Sequence, residues 1–288
     1  MLDGVRRERL AIRDGRLELS LLDWGGSGPP ALLHHANGFC AALWAPVAEK
    51  LRQRFRVFAM DARGHGDSVK PAADPANYHW QQFAADALAV AEALALRHGP
   101  LALGLGHSFG GTALALAAIE RAGLFERLLL LDPIIFPSDP ELRARISRGN
   151  VLAEGARRRR DVWSSGAEAR EKWAAKDMFA RWEPAALDLY VEEGLALRAD
   201  GQLELKCPRE VEATIFEANV SVDVMSSLPK LETPVRLVRA SSGNFSREHF
   251  ELIATSMQRA VLIEAPTGHF VPMEDPAWVV REALAPDS

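Results

Sequence analysis

The sequence predicts an α/β protein on a mostly parallel sheet, and three observations carry that expectation. Short apolar runs alternate with longer helical patterns, which is the rhythm of strand–helix units feeding a parallel sheet. Hydrophobic residues make up 48% and charged residues 25% of 288 positions, close to a soluble globular average and enough for a substantial core. The rhythm breaks once, from about Ile134 to Met225, where Arg-rich, Trp-containing helical patterns run without a convincing buried strand. It then resumes to the end of the chain.

Taken in order, Leu17–Leu22 alternates like an amphipathic edge strand, Ala31–His34 follows as a buried one, and Ala41–Arg52 reads as a helix. Arg56–Met60 is a strand running into the turn-rich segment DARGHGDS. Trp80–Leu96 has the Ala/Leu spacing of a long helix and stops at Gly99-Pro100. Leu101–Leu105 is a strand, Ser108–Arg121 a helix of small residues, and Arg127–Leu131 a further strand. Beyond the interruption come strands at Val235–Val238 and Val261–Glu264 and a last helix from Asp275 to Leu284. The expected organisation is one core, residues 1–133 and 226–288, interrupted by a helical insertion over 134–225. No internal repeat has a fixed period.

Composition narrows the function classes. Thirty-four basic residues against 39 acidic ones give a formal charge of −5, which offers no global attraction to nucleic acid or to an anionic membrane. The only cysteines, Cys40 and Cys207, lie far apart and read as free thiols of a reducing compartment. The segment MLDGVRRERLAIRDG is charged throughout and lacks the apolar stretch of a secretory signal. The longest apolar runs, LALGLG and LLLL, fall far short of the roughly 20 residues that cross a bilayer. A cytoplasmic protein is expected, and composition says nothing yet about its chemistry.

The most specific motif is Gly106-His107-Ser108-Phe109-Gly110, a G-x-S-x-G between an apolar strand and an Ala-rich helix. Such a turn must be sharp enough to project the serine Oγ, and glycine is needed wherever a side chain would meet the neighbouring backbone. The first N–H groups of the helix then face the place where an oxyanion would form. A rival reading is a dinucleotide-binding turn, because Gly104-Leu105-Gly106 opens a G-x-G-x-x-G and Asp132 ends the next strand. Its sixth position is Phe109, where close helix–strand packing wants Gly or Ala, so the serine turn is preferred.

With Ser108 placed, the chain resembles the α/β-hydrolase superfamily from about Leu17 to the C-terminus. His35-Ala36-Asn37, aligned by Trp44, is similar to the family's oxyanion loop, with Ala36 where Gly is usual. DARGHGDS (residues 61–68) is similar to the family's structural D-x-R-G-x-G-x-S turn. Gly268-His269-Phe270, ahead of Pro272-Met273-Glu274-Asp275-Pro276, is similar to its catalytic-histidine loop. The resemblance implies an α/β-hydrolase fold with a lid, Ser108 as nucleophile, His269 as base, and backbone N–H groups of Asn37 and Phe109 as the oxyanion hole. It implies no cofactor and no metal. Among the eight histidines no pair or triplet has metal-site spacing, and only His269 follows the last strand in a Gly-containing loop.

The acid departs from the commonest pattern. Most members carry Asp in the loop after the strand at Val235–Val238, but here that loop is Arg239-Ala240-Ser241-Ser242-Gly243-Asn244-Phe245-Ser246. Asn244 stands at about the expected place and is an alternative orienting residue. Asp132, ending the preceding core strand where the resemblance to some haloalkane dehalogenases seats the acid, is preferred because the loop seat is empty and a protonated His269 would pair the carboxylate. The plainer reading is that it caps the turn before Pro133. A serine at the turn, rather than an aspartate, suits an acyl-enzyme and hence a carboxylic ester, thioester or lactone. C–C hydrolysis, perhydrolysis and a receptor-like binder with little turnover are the alternatives.

The insertion carries Trp163, Trp173, Met178, Phe179, Trp182, Phe216 and Met225. Some of these are candidates to line a pocket for an apolar acyl or aromatic group, while most are expected to pack lid helices onto the core. Seven arginines lie within 141–161, including Arg157–Arg160; they could greet an anionic substrate or partner, but a solvated helix face is the preferred reading.

Overall fold

The computed structural model describes residues 2–13, 15–147 and 149–286. Its strands are β1 (Arg6–Ile12), β2 (Leu17–Gly25), β3 (Pro30–His34), β4 (Arg56–Met60), β5 (Leu103–His107), β6 (Leu128–Leu131), β7 (Val162–Trp163), β8 (Leu195–Leu197), β9 (Leu203–Leu205), β10 (Val235–Ser242) and β11 (Ala260–Gly268). Eight of them form one sheet in the order β1-β2-β4-β3-β5-β6-β10-β11. Pairing is parallel from β4 to β11 and antiparallel at β1–β2 and β2–β4.

The side chains of the central strands alternate between two layers, as a sheet covered on both faces requires. Leu33, Ala59, Leu105, Leu131 and Val238 face one layer, which includes the helices Ala45–Leu51 and Pro276–Leu284. Leu32, Phe58, Leu130 and Leu237 face the other, with the helices Trp80–His98, Phe109–Glu120 and Arg247–Ser256. Strand ends facing Ser108 therefore converge on one edge of the sheet, where the loops after β3, β5, β6, β10 and β11 meet.

Two expectations need correction. The strand at Leu17 is not the edge, because β1 pairs along it from Arg6↔Asp23 to Ile12↔Leu17. The sequence RRERLAI hid this strand behind four charges, which suit an exposed edge that must not recruit further strands. The insertion is also not purely helical: helices such as Gly149–Arg157, Gly166–Ala174, Pro184–Glu193 and Arg209–Glu217 share it with a small antiparallel sheet, β7-β9-β8. Strands of two and three residues are too short to print an alternating pattern.

Aromatic residues fasten the insertion to the core. Trp163, Trp173, Phe179, Trp182 and Tyr190 are buried, with Trp173 stacked on Tyr190 at 4.7 Å and Phe39 of the core against Trp182 at 5.4 Å. Met225 is likewise buried, while Met178 and Phe216 turn toward the cavity described below. No helix among the described residues is long and apolar enough to cross a membrane.

Candidate active site

Ser108 sits in the turn between β5 and the helix Phe109–Glu120 with φ 55° and ψ −124°, a left-handed backbone strained for a residue with a side chain. Its neighbours explain why that turn demands glycine. A Cβ on Gly106 would stand 2.5 Å from the Gly111 Cα, and one on Gly110 would stand 2.3 Å from the His35 carbonyl oxygen. The Ser108 N–H donates to the Leu131 carbonyl at 2.8 Å, which holds the turn against the end of β6.

Asp132 follows β6 directly, with φ 43° and no exposed surface. One carboxylate oxygen, Oδ1, accepts the Ala240 N–H at 3.0 Å, and the Asp132 N–H donates to the Val238 carbonyl at 2.8 Å. The other oxygen lies 2.6 Å from His269 Nδ1. His269 Nε2 lies 2.9 Å from Ser108 Oγ. Because a carboxylate only accepts, Nδ1 carries the proton in the neutral ring and Nε2 is left bare toward the serine.

The loop after β10, where a carboxylate is more usual, holds no acid and its Asn244 is exposed and lines the cavity without bonding His269. A Cβ on Gly243 would lie 2.6 Å from Asp132 Oδ2, so the glycine leaves the room that the buried carboxylate occupies. The orienting bond to His269 therefore comes from Asp132, and not from Asn244.

His269 is itself held through its backbone. His107, the variable residue of the turn, donates from Nε2 to the His269 carbonyl at 2.7 Å, and burial pushes its pKa well below the usual imidazole range. The Gly268 N–H donates to Glu274 at 2.7 Å, and Glu274 in turn pairs with Arg181 at 2.9 Å.

The oxyanion-loop residues form a tight turn. The Phe39 N–H donates to the Ala36 carbonyl at 3.2 Å and Gly38 has φ +81°, as a type II turn requires at that position. The Gly38 N–H donates to His65 Nε2 at 3.0 Å, and His65 Nδ1 donates to the Arg63 carbonyl at 3.0 Å. That links the loop to DARGHGDS, whose Arg63 makes a paired contact with buried Asp86 at 2.6 Å. Neither the Asn37 N–H nor the Phe109 N–H meets a protein acceptor among the described residues, and both residues border the cavity over Ser108.

That cavity measures about 520 Å³ and lies between the core and the insertion. Trp80, Ile134, Phe136 and Phe216 give it an apolar wall, and Ser108 and His269 open into it. Three charged residues also line it: Lys176 and Glu212, which the sequence did not single out, and Arg159, which corrects the reading of its run as a solvated face. Arg159 pairs with Glu212 and donates to the Tyr190 hydroxyl at 2.8 Å, which donates to the Gly38 carbonyl at 2.9 Å. Asn37 Nδ2 also donates to the Glu212 backbone carbonyl at 3.1 Å. The rest of the Arg157–Arg160 run is surface: Arg157 pairs with Glu210 and Glu217, Arg158 with Glu154, and Arg160 with Glu168. Among the described residues no group of three or more His, Cys, Asp or Glu could hold a metal ion.

A sequence profile described as the alpha/beta hydrolase family matches residues 31–282. The chain belongs to that family. Among curated proteins, this α/β hydrolase is 30% identical over 256 residues to N-formylmaleamate deformylase of Pseudomonas putida, covering 88% of this chain and 87% of that one. Among solved structures it superimposes on E-2-(acetamidomethylene)succinate hydrolase with a TM-score of 0.81 at 21% identity, over 97% of each chain. A thioesterase domain from the curacin biosynthetic pathway gives 0.80 at 19% identity, over 98% of this chain and 99% of that one. At those identities the two structures speak for the fold of the α/β hydrolase alone.

Proposed function

We propose that this α/β hydrolase cleaves a small acyl compound through an acyl-enzyme on Ser108, the bond being an ester, a thioester or an N-acyl amide. The observation that carries the reading is the unbroken chain Asp132–His269–Ser108, with contacts of 2.6 and 2.9 Å. His269 Nε2 takes the Ser108 proton as Oγ attacks the acyl carbonyl, and passes it to the leaving group as the tetrahedral intermediate collapses. A water then attacks the acyl carbon, again losing its proton to Nε2, and Ser108 leaves as an alcohol. Asp132, fully buried, fixes the ring and stabilises the imidazolium between those transfers. The Asn37 and Phe109 N–H groups are free to hold the oxyanion, and the N-terminus of the helix Phe109–Glu120 adds its dipole.

The substrate fits a cavity of about 520 Å³ with a largely apolar wall, a size suited to a small ligand. The name of one relative, a deformylase of an N-formyl compound, widens the bond class from esters to amides. Two buried free thiols, Cys40 and Cys207, fit a reducing compartment such as the cytoplasm. The reading of the chain as a receptor with little turnover rested on the missing carboxylate after Val238, and the 2.6 Å contact of Asp132 with His269 supports the enzyme reading instead.

The test is labelling with a fluorophosphonate, together with turnover of 4-nitrophenyl esters, N-formyl and N-acetyl amides and a 1,3-diketone as a C–C control. Labelling and hydrolysis that vanish in Ser108→Ala are expected. No labelling, and no turnover that depends on Ser108 anywhere in the panel, would overturn the proposal.

A further inference from the structure

The charges in the cavity do not balance. Arg159 is matched by Glu212 and held by Tyr190, which leaves its guanidinium fixed in place and its charge paired. Lys176 lines the same cavity, and among the described residues its ammonium has no hydrogen-bond or ion-pair partner. Partial burial, and after it the like charge of Arg159, lowers its pKa. Two cations and one anion thus border a cavity that has an apolar wall and several uncharged polar residues, which leaves a net positive charge on its lining.

A lysine needed only for solubility would point away from a second cation. An architectural lysine would meet an acid, as Lys206 does with Asp67 at 2.8 Å. Lys176 meets no acid among the described residues, and it brings its charge from the insertion to the cavity that Ser108 opens into.

We infer that the Lys176–Arg159 end of the cavity is a carboxylate subsite, so that the substrate is a small acyl compound bearing a free carboxylate away from the scissile carbonyl. This rests on the reading of Ser108 as the nucleophile. A carboxylate arriving there offsets the Lys176–Arg159 repulsion, against the Glu212 charge that already pairs with Arg159. It also ties the far end of the substrate to the network that runs through Tyr190 to Gly38, beside the oxyanion donor. Arg159 gives direction through its planar fork, while Lys176, more exposed, supplies charge at the mouth.

The experiment compares kcat/KM for the half-ester 4-nitrophenyl hydrogen adipate with that for the neutral 4-nitrophenyl heptanoate, in wild type, Lys176→Gln and Lys176→Glu. The charged-to-neutral ratio is expected to fall about tenfold in Lys176→Gln and further in Lys176→Glu, and to shrink with added salt in the wild type. A ratio that moves less than about twofold in both variants overturns the subsite. Calorimetric titration with glutarate separates the two claims. Ser108→Ala should bind it, and Ser108→Ala combined with Lys176→Glu should bind at least tenfold more weakly. Equal binding in the two overturns the subsite whatever the esters do. Glutarate binding that depends on Lys176, without any turnover that depends on Ser108, would leave the subsite standing and sink the nucleophile.

Discussion

Replacing Asp132 by asparagine tests the site most sharply, because the structure dictates which way the new amide must face. Ala240 presents an N–H to one oxygen of the carboxylate at 3.0 Å, and His269 Nδ1 presents its proton to the other at 2.6 Å. A carboxylate accepts both. An amide has one acceptor, and the backbone donor at Ala240 cannot change its role, so the amide oxygen turns to Ala240 and the NH2 group faces His269. Nδ1 must then become an acceptor, which moves the ring proton to Nε2 and aims it at Ser108 Oγ. The base is now blocked on its working side. A wrong tautomer of this kind costs about 10⁴ in kcat, or about 5 kcal/mol of transition-state stabilisation. The fold should survive, since the substitution keeps the shape and leaves no buried donor of Ala240 unpaired. The assay is steady-state hydrolysis of a 4-nitrophenyl ester between pH 6 and 9, with circular dichroism melting as the control for folding. Activity within about threefold of wild type would refute both the acid assignment and the tautomer argument.

Three more perturbations probe the supports of the site. Gly243→Ala pushes a Cβ to within 2.6 Å of Asp132 Oδ2, and displacing the carboxylate should lower kcat/KM about 100-fold in a protein that still folds; near-normal activity would mean the loop yields instead. Tyr190→Phe removes the donor to the Gly38 carbonyl and a partner of Arg159, so kcat on a neutral ester should fall about tenfold with KM little moved, whereas a KM effect alone would assign Tyr190 to substrate contact. Finally, stability should drain away as pH falls below about 6.5. Burial holds His34 down at about 3 and His35 at about 4, and keeps His65 and His107 well below their ordinary value of 6.5. In that window the unfolded chain binds protons that the native one refuses, each site contributing up to about 1.4 kcal/mol per pH unit. Asp61 and Asp86, raised by burial, oppose the trend only in part. Urea midpoints that stay level from pH 7.5 to 5 would contradict this account.

What was legible in the sequence follows from where the information is local. The strand Arg56–Met60 and the helix after Ser108 could be read because apolar periodicity and glycine punctuation lie within a few residues of one another. Ser108 and His269 were legible for the same reason, each set in a short motif whose glycines answer to close backbone approach. Arg159 was not. The helix Gly149–Arg157 ends before it, so helical spacing says nothing about which of Arg158, Arg159 and Arg160 turns inward. That direction is decided 53 residues later, by Glu212, and by Tyr190. Lys176 is harder still, because a one-dimensional pattern cannot register that no acid pairs with it among the described residues.

The acid shows how sheet order carries information that motif order lacks. β6 and β10 are adjacent and parallel, with Leu131 level with Val238, so the residues that follow these two strands emerge side by side. Moving a carboxylate from the loop after β10 to the end of β6 therefore transfers it between neighbours that reach the same imidazole. The exchange leaves a trace in the vacated loop. Gly243 must be small because the carboxylate of Asp132 fills the space above it, and Ala240 offers the N–H that anchors that carboxylate. An aspartate in the loop and Asp132 at the strand end would put two like charges in one dry site, which neither could occupy fully ionised. The chain therefore has room for one acid, and the glycine at 243 is as much a part of that choice as the aspartate at 132.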